Sequence, residues 1–416
     1  MRKPGQQWNR IRRIAAAVLA GVCSLGYAGA GVMSASEFSP ADVAPQDVKR
    51  IAVLAYSFSS EYWGYVVQGC KAFDTADTTI SVEVQSPSSS IAVGEQITML
   101  KGDLDSGRYD GYLIAAISKA DVEDILKDVD VPVVAMNTPI ESSCVIGGIG
   151  TDNETAAAAG AKKAVEMAID NGFEKPECVM IGGFEDDFNN EKRVTGFRRG
   201  VEENGGVWLD KVYPTDKSAE GAHDAMKAIM EEFPEGVAVV ACYNDLLATN
   251  ALEEAIENPA FENTVFLGFD GNGSVCDRIM NDDRYVNMVT VAQNPYEMGF
   301  HALELLSKHF FEMETQSTGD DVDGAADGAK DGAADRAEDG PDGAADGKSA
   351  DSAADDTADS SEDGADKADD KAGAGEDSGG SEAQEDMFVN WIDSGYGVIT
   401  KINAQERMLQ IMSHLR

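Results

Sequence analysis

Five short apolar runs along the chain each end on a polar or aromatic residue: Ile51–Ala55 leading into Tyr56 to Trp63, Val131–Met136 into Asn137, Val237–Tyr243 into Asn244 and Asp245, Val265–Phe269 into Asp270, and Asn287–Ala292 into Gln293. Runs rich in Val, Ile and Phe, separated by helix-length amphipathic stretches, read as strands of parallel sheets buried on both faces. Two further strands are expected at Cys144–Gly150 and Cys178–Gly183. Helices are expected at Asp121–Val129 with Ser118 as N-cap, at Thr155–Ile169 after Asp152, and at Lys192–Asn204, Gly221–Phe233, Leu246–Ile256 and Pro295–Phe311. Two successive sets of such units predict an α/β fold of two doubly wound, Rossmann-like parallel-sheet domains. In open α/β sheets ligands bind outside the carboxyl ends of the strands, where these polar residues fall. The pattern therefore predicts a site for a small, hydrogen-bonding ligand.

Between Gly319 and Asp386 the pattern stops. That tract has 24 acidic and five basic residues, no aromatic residue, and Val322 as its one large aliphatic side chain. Such a segment cannot bury enough apolar area to offset its ordering entropy, so a disordered insertion over 319–386 is expected. Asp321-Val322-Asp323-Gly324 lacks EF-hand spacing, and no metal is expected. Strands resume at Met387–Trp391 and Gly397–Ile402, followed by a short helical tail. The tract accounts for −19 of the formal charge of −42, leaving −23 for the remainder. A surface that acidic disfavours nucleic acid, whose binding needs clustered Lys and Arg.

The first residues differ again. Arg2, Lys3, Arg10, Arg12 and Arg13 precede an uncharged apolar stretch from Ile14 to Met33 with the small-residue site Ala28-Gly29-Ala30. This is the form of a secretory signal, with an uncleaved membrane anchor as the alternative over 1–36 and lipid attachment at Cys23 as a third. A polar linker, 37–48, follows. An exported, extracytoplasmic protein is expected. Cys70, Cys144, Cys178, Cys242 and Cys276 are scattered through expected core elements without CxxC spacing, which favours buried thiols over a disulfide framework.

Several polar clusters occur in fixed order: Ser59-Ser60-Glu61-Tyr62-Trp63, Asn137, Gly150-Thr151-Asp152-Asn153, Arg193-Val194-Thr195-Gly196-Phe197, Tyr243-Asn244-Asp245, Gly268-Phe269-Asp270-Gly271 and Val291-Ala292-Gln293. In these the chain resembles periplasmic sugar-binding proteins of the ribose and galactose type, which share their core with lactose-repressor-type regulators. The resemblance implies two lobes joined by a three-strand hinge near Thr151, Gln293 and Ile392. The N-terminal lobe would comprise 49–151, 294–318 and 387–391, and the C-terminal lobe 152–293 and 392–408. It implies ligand contacts from Tyr62, Trp63, Asn137, Arg193, Asn244, Asp270 and Gln293. The chemistry agrees, because sugar hydroxyls both donate and accept and suit planar carboxylate, guanidinium and carboxamide partners, while sugar C–H faces suit aromatic rings. Each residue also has a purely structural reading: Tyr62 and Trp63 as core, Arg193 as an ion-pair partner, Asn244 as a helix cap, Asp270 as a turn residue, Gln293 as part of a hinge.

Two positions depart from the resemblance. Asn137 stands where many relatives have Asp, and Lys217 stands where relatives commonly have an aromatic closing over the sugar's second face. Lys217 is therefore a further candidate contact, compatible with a modified sugar, an acyclic polyol or an anionic derivative. The resemblance implies a monomeric solute-binding protein that delivers its ligand to an ABC-type permease; a module sensing ligand for a membrane receptor or kinase is the alternative. No cofactor is implied. None of His223, His301, His309 and His414 lies beside a plausible Ser or Cys nucleophile and no GxSxG occurs, so no enzyme is expected.

Overall fold

The structure, a computed structural model, describes residues 48–323 apart from Ser59 and Ser90, and residues 391–414. The expected signal or anchor, nearly all of the linker and most of the acidic tract lie outside the described residues.

Two six-stranded sheets organise the chain. The first has the order β11-β5-β4-β3-β1-β2, from β1 (Lys49–Leu54), β2 (Ile80–Gln85), β3 (Gly111–Ile114), β4 (Val133–Met136), β5 (Val145–Gly150) and β11 (Trp391–Asp393). The second has the order β12-β10-β9-β8-β6-β7, from β6 (Glu177–Ile181), β7 (Val207–Tyr213), β8 (Val239–Cys242), β9 (Val265–Asp270), β10 (Met288–Gln293) and β12 (Tyr396–Ile399). All pairings are parallel except β12 with β10. Helices α1 (Glu61–Ala76), α2 (Val93–Ser106), α3 (Lys119–Leu126), α4 (Asn153–Asp170), α5 (Phe188–Glu203), α6 (Ala219–Glu232), α7 (Asp245–Ala255), α8 (Gly273–Asn281), α9 (Pro295–Asp323) and α10 (Ala404–His414) complete the two α/β domains.

Each sheet is covered on both faces, which explains its unbroken apolar strands. In β1, Ile51 and Val53 enter one buried cluster with Val66 of α1 and Leu303 of α9, while Ala52 and Leu54 enter another with Leu100 and Val122. In β8, Val240 and Cys242 face α6 and α7, whereas Val239 and Ala241 face α4 and α5. The expected caps are present: Ser118, Asp152 and Asn244 accept from the backbone N–H of Asp121, Thr155 and Leu247. Helices α1 and α9 cross closely enough that a Cβ on Gly69 would lie 2.0 Å from the Tyr296 carbonyl oxygen.

The chain passes between the sheets three times, from β5 to α4, from β10 to α9, and from β11 to β12. These passages are bonded to one another. Thr151 Oγ1 donates to Gln293 Oε1 (2.8 Å), Asn294 Nδ2 to the Ser394 carbonyl (2.8 Å), and Ser394 N–H to the Gly150 carbonyl (2.8 Å).

Several elements depart from the sequence reading. Strands β2, β3 and β7 and helices α2 and α8 were not predicted; β2 and β7 are edge strands whose exposed positions carry Glu, Asp and Lys, breaking the apolar run. Helix α9 continues to Asp323, past Phe311 and into the acidic tract. The strand expected at Met387–Trp391 is Trp391–Asp393, its earlier residues lying outside the described ones. The five cysteines among the described residues are buried and unpaired, and burial pushes the thiols of Cys70, Cys178 and Cys276 up to about 12.

Candidate functional site: a polar cleft between the two sheets

The loops and helix starts that follow β1, β4, β6, β7, β8, β9 and β10 converge on one cavity of about 430 Å³. All eight candidates from the sequence line it: Tyr62, Trp63, Asn137, Arg193, Lys217, Asn244, Asp270 and Gln293. Their roles within it differ.

An aromatic wall comes from the first domain. Tyr56 and Trp63 stack with centroids 4.8 Å apart, and Tyr62 meets Trp63 edge-on at 5.3 Å. Tyr62 and Trp63 are each only 5% exposed and also belong to the core under β1, so the core reading and the cleft reading both apply. Burial holds the phenols of Tyr56 and Tyr62 well above their ordinary pKa, keeping them hydrogen-bond donors throughout the physiological range. Tyr62 Oη donates at 3.3 Å to both Asn137 Oδ1 and Gln293 Oε1. Asn137 takes a left-handed backbone (φ 67°), a conformation that Asn tolerates better than most residues.

From the second domain comes the charged wall. Arg193 is buried and lies between the rings of Tyr243 (4.6 Å) and Phe269 (3.8 Å). Its Nε donates to Asn153 Oδ1 (2.8 Å) and its Nη1 to the Tyr243 carbonyl (2.6 Å), fixing the guanidinium plane and leaving Nη2 for the cleft. Gln293 Nε2 donates to Asp270 Oδ1 at 2.7 Å, while Gln293 Oε1 accepts from Thr151 and Tyr62. Gln293 is thus mainly an orienting group, tied into the hinge and aiming Asp270. Burial, opposed by the Arg193 charge, raises the Asp270 carboxyl from the usual 3.8 to about 6. Asp245, fully buried beneath it, is also held well above the carboxylate range, by burial and then by the Asp270 charge. Asn244 is both cap and lining residue: its Oδ1 caps α7 at 3.1 Å from Leu247 N, so its amide nitrogen remains for the cleft.

Lys217 does not stand as a free cation. Its Nζ is bonded to Asp187 Oδ2, both side chains are nearly buried, and it lies 4.8 Å from the ring centroids of Phe184 and Tyr243. Its left-handed backbone (φ 61°) is unusual for a long side chain and is held by the bond from its N–H to Thr215 Oγ1.

Sequence reasoning did not single out Tyr56, Asp187 or Asp245 as ligand-site residues, nor Arg407 of the C-terminal helix. Arg407 donates to the carbonyls of Gln293 (2.6 Å) and Gly271 (3.3 Å), pinning the strand ends that carry Gln293 and Asp270. Only Tyr56 and Asp245, adjacent to strand ends, carried a readable signal. The two domains also touch across the cleft mouth. Glu61 at the start of α1 accepts from Ser274 Oγ (2.6 Å) and from the Ser274 N–H at the start of α8 (3.3 Å), and Asn189 Nδ2 donates to Thr138 Oγ1 (3.3 Å). Among the described residues no group of His, Cys, Asp and Glu is arranged to hold a metal ion, and no helix is long and apolar enough to cross a membrane.

A sequence profile described as periplasmic binding protein domain matches residues 51–311. No curated protein matches the chain in sequence. Among solved structures, the glucose-galactose binding protein GanP from Geobacillus stearothermophilus superposes with TM-score 0.56 at 21% identity, over 63% of this chain and 90% of its own. A carbohydrate transporter solute binding protein from Agrobacterium radiobacter, in complex with D-arabinose, gives 0.59 at 16% identity over 89% of this chain and 99% of its own. An ABC transporter solute binding protein from Bacillus halodurans with bound myo-inositol gives 0.59 at 12% identity, over 88% and 99%. At these identities the likeness is one of fold.

Proposed function

The chain belongs to the periplasmic binding protein family, and from that premise we propose that it is an extracytoplasmic, monomeric protein that captures a neutral sugar or sugar-like ligand between its two lobes. The lobes would be 49–151 with 294–318 and 387–391, and 152–293 with 392–408, except that Ile392 and Asp393 go with the first lobe, because β11 (Trp391–Asp393) pairs with β5 in the first sheet and the last passage falls at Ser394 and Gly395. The observation that carries the reading is the convergence of Tyr62, Trp63, Asn137, Arg193, Asn244, Asp270 and Gln293, from both domains, on one cavity. Aromatic rings supply one wall for C–H faces. Guanidinium, carboxylate and carboxamide groups supply the other for hydroxyls.

A neutral ligand is favoured over an anionic one because the cation of Lys217 is already neutralised by Asp187, and Arg193 is balanced by Asp270. Asp187, Lys217 and Tyr243 together form a polar wall, with Tyr243 Oη bonded to Asp187 Oδ2 at 3.3 Å. Hinge bending at the three passages would open the cleft, and a ligand contacting both walls biases the equilibrium toward the closed form by its better fit there. The closed form would then dock on an ABC-type permease. Export would rest on the basic and apolar N-terminal segment. No catalytic step is assigned.

A thermal-shift panel of pentoses, hexoses, cyclitols, sugar acids and nucleosides, followed by calorimetry, tests the reading. A ligand at 100 times its dissociation constant adds about 2.7 kcal/mol of stability. Neutral sugars or cyclitols should shift the melting temperature while sugar acids do not; a flat response to all neutral polyhydroxylated compounds would refute it.

A further inference from the structure

Helix α10 is rooted in one domain and ends on the other. It follows β12, and its start is packed into the second domain: Ala404 is buried in one cluster with Val275, Cys276 and Ile279 of α8, Met408 packs against that cluster, and Lys401 pairs with Asp283 (3.0 Å). One turn on, the buried Arg407 ties the second passage between the sheets. It donates to the carbonyls of Gly271 and Gln293 and reaches Asn294 Oδ1 (3.5 Å), while Asn294 Nδ2 holds the third passage at the Ser394 carbonyl. At the far end the contacts are with the first domain. The His414 ring stacks on Tyr296 of α9, with centroids 4.1 Å apart and planes inclined by 10°, and His414 Nε2 lies 3.6 Å from Glu297 Oε1.

That contact is closely packed. About 10 Å³ of free space lies among Tyr65, Asn294, Tyr296, Glu297, Ile411 and His414, the volume a single water needs and far too little for a ligand. Beyond Tyr296 the rings continue to Phe300 (6.5 Å) and from there to Phe73 of α1 (5.1 Å). Helices α1 and α9 meet backbone to backbone: a Cβ on Gly69 would lie 2.0 Å from the Tyr296 carbonyl oxygen, and one on Gly299 would lie 2.1 Å from that of Val66. Two helices packed this closely move as one body. Whatever holds Tyr296 therefore holds α1, which carries Tyr62 and Trp63 of the cleft and Glu61 of its mouth.

These contacts coexist with the bridges across the cleft mouth, Ser274 to Glu61 and Asn189 to Thr138, so they belong to the closed arrangement of the lobes. A contact made in one of two arrangements favours that one by its own free energy. We infer that α10 is a strap across the hinge that holds the lobes closed, rooted on α8, tied at Arg407 and latched on the first lobe by the stack of His414 on Tyr296. The strap touches no ligand. It sets the fraction of ligand-free protein that is closed, and so scales the affinity for every ligand alike. Ring stacking is the larger part of the latch, because Glu297 is 39% exposed and is shared with His301 (3.1 Å).

The inference rests on the hinge-bending reading, and the experiment separates the two. Spin labels on Lys71→Cys of α1 and Asp277→Cys of α8, both exposed positions, report the distance between the lobes by pulsed electron paramagnetic resonance on the ligand-free protein; the native cysteines among the described residues are buried. In that background His414→Ala and Tyr296→Ala should each raise the ratio of open to closed molecules about three- to tenfold, and the double variant should do no more than either alone. His414→Phe, which keeps a ring on Tyr296, should stay near the wild type. Glu61→Ala, which removes a bridge at the cleft mouth instead, should also lengthen the distance. A response to Glu61→Ala with none to His414→Ala or Tyr296→Ala would overturn the strap alone. Distances that move with none of these variants would overturn the strap together with hinge bending.

Discussion

Replacing Asp270 by Asn should make the empty protein more stable and the binding protein worse, and the two effects should have different pH dependence. The Asp270 carboxyl is raised from 3.8 to about 6, chiefly by burial, with the Arg193 charge and the Gln293 bond opposing. For a carboxyl raised in the folded state, both states are protonated below about pH 4 and folding is unaffected. Between that point and about pH 6 the unfolded chain gives up its proton while the folded protein keeps it, so stability falls as pH rises. Above about pH 6 the full cost is present. Two pKa units correspond to about 3 kcal/mol, an upper bound because Asp270 keeps part of its surface toward the cleft. Asn keeps the shape, fits the positive φ of 118° no worse than Asp does, and carries no charge. In ligand-free thermal melts Asp270→Asn should match the wild type near pH 3.5 and exceed it by several degrees at pH 7.5, given about 2–4 °C per kcal/mol for domains of this size. Losing a buried charged acceptor should at the same time weaken ligand binding by about 2–5 kcal/mol. A variant less stable than wild type at pH 7.5, or a melting difference that does not change with pH, would refute the argument that a buried charge is held at a cost for binding.

Arg193→Lys should weaken ligand binding strongly despite keeping the charge, since Lys cannot hold the Asn153 and Tyr243 bonds in one plane between two rings; calorimetry showing wild-type affinity would remove Arg193 from the site. Gly69→Ala should lower the melting temperature by at least the equivalent of about 1–3 kcal/mol, because its Cβ would lie 2.0 Å from the Tyr296 carbonyl, whereas Gly64→Ala on the same helix meets nothing within 4 Å and should raise it slightly. Equal effects from the two would contradict the close α1–α9 crossing. Glu61→Ala and Ser274→Ala should each reduce ligand affinity by about 1 kcal/mol by removing the bridge across the cleft mouth, and the double variant should lose no more than either alone; fully additive losses would show that the two residues act independently.

The elements legible along the chain are those whose physics is local. The runs at Ile51, Val133, Val239, Val265 and Met288 had to be strands buried on both faces, because no alternation gives them a wet side, and the residues ending them had to share one edge of a sheet. That reasoning brought Asn137, Asn244, Asp270 and Gln293 to the cleft, and the ordered polar clusters that carry the family resemblance added Tyr62, Trp63 and Arg193. Edge strands β2 and β7 escaped it, since their exposed Glu, Asp and Lys break the apolar signal, and so did the short helix α8. The tertiary structure alone decided how each polar group is used. Lys217 reads in sequence as a candidate contact, and Asp187, thirty residues earlier, neutralises it; Gln293 reads as a ligand contact, and Thr151 and Tyr62 occupy its carbonyl oxygen while its amide nitrogen donates to Asp270. Arg407, more than a hundred residues from the strands it pins, left no local trace at all. Secondary structure follows from neighbours along the chain, whereas the availability of a donor or acceptor depends on which distant side chain reaches it first.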